Sequence, residues 1–195
     1  PYDPDKAKAL LDEAGWKVGP DGIRVKNGQK LQFQYSTQTE STGGQLIQQQ
    51  VQRYWHEVGA DAVIKNYPTP VFFENSAAGV LQGGKYDVAA FAWVGAADMD
   101  QSAIYSSHNL APHGQNALFW ENPIATKAMD DSNETVDMQR RIDDYKIVQR
   151  EFAKDDPSIM LWFRKDVEVY NSALKDFTPT PVITTPFWNT WRYHF

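Results

Sequence analysis

Apolar positions along the chain change their period several times, and each change predicts an element. Asp3-Pro4 reads as an N-cap followed by proline in the first helical turn, and Ala7, Leu10, Leu11 and Ala14 recur at helical spacing until Gly15 stops the run. Gly19-Pro20-Asp21-Gly22 and Lys26-Asn27-Gly28 carry turn chemistry and predict a hairpin. Leu31, Phe33 and Tyr35 alternate with Gln32, Gln34 and Ser36, the pattern of a strand with one buried face. Ile47, Val51, Tyr54, Trp55 and Val58 share one helical face, which Gly59 closes. Ala62 to Ile64 predict a second strand, Pro70 opens a helix through Phe73 and Leu81, and Tyr86 to Trp93 is a nearly continuous apolar run that suits a central strand covered on both faces. The alternation of strand and helix implies right-handed crossovers and an α/β fold with a mixed, mostly parallel sheet flanked by helices.

Beyond Gly95 the pattern breaks down as far as Asn122, a stretch too long for an ordinary connection and rich in Gly, Asp, Ser and Asn among aromatics. Loops of this kind usually carry function. Pro123 to Asp131 predicts a short helix, and Met138, Ile142, Tyr145, Gln149 and Phe152 a longer one over about 135–154, stopped by Pro157. Ile159 to Phe163 and Val167 to Tyr170 are strand-like, and the tail ends in the aromatic cluster Phe187, Trp188, Trp191, Tyr193 and Phe195.

The 195 residues, 42% of them apolar, suffice for one domain with a real core. The net charge of −6 repels a phosphate backbone and argues against nucleic-acid partners. With no cysteine there are no disulfides, thiolate metal sites or cysteine nucleophiles. No apolar run approaches the length of a membrane span, and the first residues lack the pattern of a signal peptide.

The candidate chemistry is sparse. Gly79 to Lys85 approximates a phosphate-binding loop, but it stands between helix and strand in the wrong order, and Tyr86 occupies the place of the magnesium-binding hydroxyl. His108 and His113 with Asp98 and Asp100 fit no zinc ligand spacing. No Gly-x-Ser-x-Gly elbow is present, so no cofactor, metal or nucleophile is expected. Asp98 and Asp100 could act as the acids of a carbohydrate-active enzyme, although such pairs usually come from separate elements. Seven tryptophans, among them Trp93 and Trp120 beside irregular segments, favour a binding surface for a ligand or a protein partner.

Several segments, taken in order, carry a resemblance. These are Tyr2-Asp3-Pro4-Asp5-Lys6-Ala7-Lys8-Ala9-Leu10-Leu11, Ala14-Gly15-Trp16, Asp21-Gly22-Ile23-Arg24, Tyr86-Asp87 leading to Phe91-Ala92-Trp93, Asn116, Asn122-Pro123, Asp137 with Arg141, Tyr145 and Gln149, and Asp156-Pro157. The set resembles the C-terminal lobe of the extracytoplasmic solute-binding proteins of family 5, the oligopeptide- and dipeptide-binding proteins of ABC importers. Trp93-Val94-Gly95 with Ser102 to Tyr105 looks more like an actinobacterial branch. The resemblance implies a type II periplasmic-binding-protein lobe over 1–195, separated from an N-terminal partner lobe. It implies capture of a peptide-like solute in a closing cleft, delivery to an ABC permease, no catalysis, and an extracytoplasmic, lipid-anchored setting. In the family an aspartate shortly after the tryptophan-ended strand can pair with the α-amino group of a bound peptide. Asp98 is the nearest match here, with Asp100 open as the alternative, and Trp93, Tyr105 and Asn116 complete the expected ligand-binding set.

Overall fold

The computed structural model describes residues 2–94, 98, 100–162, 167–179 and 190–194. The chain divides into two compact units, one formed by 1–92 with 111–113 and the other by 93–110 with 114–195.

The first unit opens with α1 (Pro4–Glu13), capped by the Asp3 carboxylate, which accepts the Lys6 amide at 2.9 Å. A small antiparallel sheet follows, with β1 (Lys17–Val18), β2 (Arg24–Lys26) and β3 (Gln29–Lys30) in that order. Asn27 and Gly28 both take positive φ, 51° and 81°, and form the tight turn that the hairpin between β2 and β3 requires. The second sheet is parallel, with β4 (Gln32–Ser36) between β5 (Asp61–Ile64) and β6 (Val88–Ala89). Helix α2 (Thr42–Glu57) crosses over from β4 to β5, and Trp55 packs edge-on against Phe33 and tilted against Tyr35, each at 5.1 Å between ring centroids. Gln48, wholly buried on α2, donates to the Tyr35 carbonyl at 3.0 Å and exchanges hydrogen bonds with Asn66, so a polar residue inside the core is fully partnered.

Two expectations need correction in this unit. The run from Tyr86 to Trp93 is not a long central strand: β6 holds only two residues and lies at the edge, while β4 is central. Side chains close it at both ends. The Asp87 carboxylate accepts the Gln34 amide at 2.7 Å, a donor the ladder would otherwise use, and the Thr37 hydroxyl donates to the Ala90 carbonyl at 2.8 Å. The helix opened by Pro70 is short as well, α3 (Thr69–Phe72), because the chain then winds into turns that bury Val80 and Leu81 beside Phe72. A Cβ at Gly79 would stand 2.2 Å from the Glu74 carbonyl oxygen, so glycine is needed for that winding.

In the second unit α4 (Ser102–Tyr105) precedes α5 (Pro123–Asn133) and α6 (Met138–Asp155). Asn122 caps α5 by accepting the Ala125 amide, and Asp137 caps α6 by accepting the amides of Gln139 and Arg140. Between these helices Trp120, Ala125, Ala128, Met129, Tyr145 and Val148 form the core. Tyr105, Trp120 and Phe152 meet edge to face, and the Trp120 indole donates to Asp155 at 2.9 Å. The strand-like segments near 159 and 167 are not strands: Ile159 to Trp162 and Val167 to Tyr170 lack any ladder among the described residues, and their apolar side chains are largely exposed. Phe163, Phe187, Trp188 and Phe195 lie outside the described residues.

Arg24 ties the first unit together. Its side chain is 3% exposed, and its guanidinium donates to the Val58 carbonyl at 2.7 Å, the Trp16 carbonyl at 2.7 Å, the Lys8 carbonyl at 3.3 Å and the Asp12 carboxylate at 2.8 Å. The guanidinium in turn holds the Asp12 carboxyl below its ordinary value. Replacing it by Arg24→Met strips donors from the ends of two helices at once. A loss of about 2–4 kcal/mol is expected in urea-induced unfolding, because breaking a buried ionic hydrogen-bond set costs more than an exposed pair.

Candidate functional site

Helix α6 presents Arg141 and Tyr145 one turn apart, and both reach the loop that carries the two aspartates. Arg141 grips Asp98 in a bidentate fork, with Nη1 to Oδ2 at 2.9 Å and Nη2 to Oδ1 at 2.5 Å. Its Nε donates to the buried hydroxyl of Ser132 on α5 at 3.5 Å, and its side chain is only 14% exposed. The Asp98 side chain is 53% exposed, so the fork holds it from one side and leaves a face to solvent. The Asp98 carboxylate, through its hydrogen bond, raises the affinity of the Arg141 guanidinium for its proton still further.

Asp100 is held differently. The Tyr145 hydroxyl donates to its Oδ1 at 3.1 Å, the Ser102 amide donates to the same oxygen at 2.9 Å, and the Ser102 hydroxyl joins them. The Tyr145 oxygen also accepts the Gln101 amide at 3.1 Å, which closes a ring of contacts over the start of α4. Burial alone would raise the Asp100 carboxyl, but the donors from Ser102, Asn133 and Tyr145 outweigh it and keep it below its ordinary value. Burial pushes the Tyr145 phenol up to about 12, so it stays a proton donor throughout the physiological range.

The five expected ligand-binding residues therefore occupy three environments. Trp93 is 48% exposed and Asp98 half exposed. Asp100 is bound into the capping of α4. Tyr105 is half-buried and Asn116 is internal. The Tyr105 ring packs on Trp120 and Phe152, and its hydroxyl lies 3.5 Å from the Ser158 hydroxyl. Asn116 is fully buried and donates its amide hydrogens to the carbonyls of Ser106 and Trp120, so it shapes the loop and does not face solvent. Arg141 and Tyr145 were the residues hidden in the sequence. Their signal was the i, i+4 spacing on a helix with an aspartate pair upstream, a pattern that names no partner by itself.

Among the described residues no group of His, Asp and Glu could hold a metal ion, and no helix is long and apolar enough to cross a membrane. His108 pairs with Asp130 at 3.1 Å on the surface of the same unit.

Residues 1–114 match the profile of the bacterial extracellular solute-binding proteins, family 5 Middle, and the chain belongs to that family. It is 26% identical over 163 residues to the oligopeptide-binding protein AppA of Bacillus subtilis, covering 83% of this chain and 29% of AppA. It is 29% identical over 188 residues to the glutathione-binding protein GsiB of Salmonella choleraesuis, covering 93% of this chain and 34% of GsiB. The structure of AppA in complex with a nonapeptide superposes with a TM-score of 0.71 at 26% identity, over 80% of this chain and 30% of AppA. NikZ from Campylobacter jejuni in complex with Ni(L-His) shares the fold with a TM-score of 0.79 at 22% identity, over the whole of this chain and 39% of NikZ. The chain thus spans about a third of the length of these relatives. The fold is that of the type II periplasmic binding proteins of family 5, as the resemblance implied, and the family consists of substrate-binding proteins, not enzymes.

The depressed Asp100 carboxyl makes a pH prediction. A carboxyl whose folded-state value lies below its unfolded value stabilises fully above the unfolded value, near 4, and loses that contribution as the pH falls through the folded-state value. Asp100→Asn should therefore lower stability by no more than about 1 kcal/mol at pH 7, since the site is close to solvent. The difference from the wild-type protein should shrink as the pH falls through the folded-state value. Paired urea titrations at pH 7 and at about pH 3 check this, and a difference that persists undiminished in acid would show that the carboxylate charge contributes nothing.

Proposed function

We propose that this chain is the C-terminal lobe of a two-lobed binding protein that captures a peptide-like solute outside the cytoplasm and hands it to an ABC permease in the membrane. The observation that carries this reading is the state of the loop after Trp93. The Asp98 side chain is half exposed while Arg141, braced by Ser132, and the Asp100 amide hold its carboxylate from within the protein. A side chain fixed from behind and open in front loses little freedom when a ligand arrives, which is how preorganised sites gain affinity.

Trp93 and Asp98 form this chain's share of the ligand wall, and Asp100, Tyr105 and Asn116 hold that wall in shape. The N-terminal lobe supplies the opposite wall. Closure about a hinge removes water from the ligand, and the closed form is the one a permease distinguishes, so the mechanism is a shift of population and needs no catalytic group. Family membership and likeness to AppA, named for oligopeptides, and to GsiB, named for glutathione, support a peptide-like solute. A lipid anchor on the full-length protein would keep it beside its permease.

The test is native mass spectrometry of the full-length protein offered a library of tripeptides. Retention of tripeptides by the wild-type protein is expected, and Trp93→Ala should weaken it by about tenfold if the indole covers the ligand. Failure to retain any peptide, together with cleavage of added oligosaccharides, would replace this reading with the carbohydrate-active one.

A further inference from the structure

We infer that the first unit carries a binding site for a compact dianion with carboxylate or phosphate oxygens, on the face of its parallel sheet that α2 leaves open, where Lys65 and Lys85 supply two uncompensated ammonium groups. Phe33 and Tyr35 of β4 pack on Trp55 of α2, so strand alternation turns Gln34 away from that helix. Parallel sheets are ordinarily covered on both faces. Here an open cavity of about 540 Å³ has Gln34 in its lining, with Lys65 and Tyr67 from the chain after β5 and Lys85, Tyr86 and Asp87 from the chain ahead of β6.

Among the described residues neither lysine forms an ion pair, whereas Lys30 and Lys127 elsewhere are each matched by an aspartate. Their partners are neutral. Lys85 donates to the Ala78 carbonyl at 2.5 Å, and the Lys65 ammonium lies 5.4 Å from the centre of the Tyr67 ring, so both cations are steadied without being neutralised. The one carboxylate in the wall, Asp87, already accepts the Gln34 amide at 2.7 Å. The Tyr67 hydroxyl accepts from the Gln34 side chain at 3.5 Å, which leaves its own hydrogen to donate. Burial pushes the Tyr86 phenol up to about 12, so it adds no negative charge at neutral pH. Two cations against one engaged anion attract a doubly negative ligand and repel a metal ion. The backbone narrows the ligand further, because the amides of Gly79, Gly83, Gly84 and Lys85 are already donated to the carbonyls of Ser76, Gly79, Leu81 and Val80. No backbone cradle is left for a nucleotide's phosphates, and recognition falls to the side chains.

The experiment titrates the full-length protein with inorganic phosphate and, separately, with succinate, by calorimetry at low ionic strength. Saturable binding of at least one probe is expected, together with a rise in the urea midpoint in its presence. Lys65→Met and Lys85→Met should each weaken binding by about tenfold, Lys65→Arg by less than about threefold because the charge is kept, and Lys127→Met, outside the cavity, not at all. Lys65→Met decides the matter if Lys85→Met does not fold, since Lys65 braces no carbonyl. The tighter probe tells phosphate from carboxylate. Absence of saturable binding for both probes, or binding undiminished in the methionine variants, overturns the site, and either result leaves peptide capture untouched.

Discussion

Four residues apart on one face of α6, Arg141 and Tyr145 fasten the same loop at two points, and the arrangement of the candidate site depends on that double attachment. The Arg141 fork sets the plane of the Asp98 carboxylate, and the Tyr145 hydroxyl sets the start of α4 by serving Asp100 as donor and Gln101 as acceptor. The helix that carries both side chains is itself packed on the core around Met129 and Trp120.

The first unit solves a different problem by related means. Its strands are short, two to five residues, and offer few ladder hydrogen bonds. Buried polar side chains supply the missing connections. Arg24 gathers the carbonyls of Lys8, Trp16 and Val58, and Gln48 with Asn66 joins α2 to the end of β4. Gly59 belongs to the same arrangement. With φ of +93° and a Cβ position 2.7 Å from the Arg24 Cγ, it is the residue that lets the chain leave α2 beside the guanidinium. Small sheets held this way demand particular residues, since each polar group left without its partner would cost the full penalty of its burial.

Much of this was legible in the sequence. The alternation Leu31, Phe33, Tyr35 and the helical face of Ile47, Val51, Trp55 define β4 and α2, because burial of a repeating apolar face is a local property of the chain. The turn at Asn27-Gly28 was equally plain. What could not be read was where a ladder stops and which polar residues meet. The apolar run after Tyr86 reads as a long strand, yet Asp87 and Thr37 cut the ladder to two residues, and both act on partners more than fifty residues away. Ile159 to Trp162 carry the composition of a strand, but a strand is a relation between two segments, and composition names only one of them. The expectation for Asn116 as a ligand contact came with the family resemblance, not from its own surroundings. Its burial against Ser106 and Trp120 is a tertiary fact with no sequence signal of its own.

The same contacts bear on whether the two aspartates could do chemistry. A carboxyl that acts as a general acid near neutral pH must hold its proton there, which requires an apolar setting or a nearby uncompensated anion. Asp100 has the opposite surroundings, with donors from Ser102, Asn133 and Tyr145 that favour the ionised form. Asp98 faces a guanidinium. A carboxylate so matched with donors as Asp100 is a poor acid. For catalysis that is a defect. For holding a solute and releasing it unchanged it is no handicap, because a ligand held by shape and hydrogen bonds is let go when water returns to them.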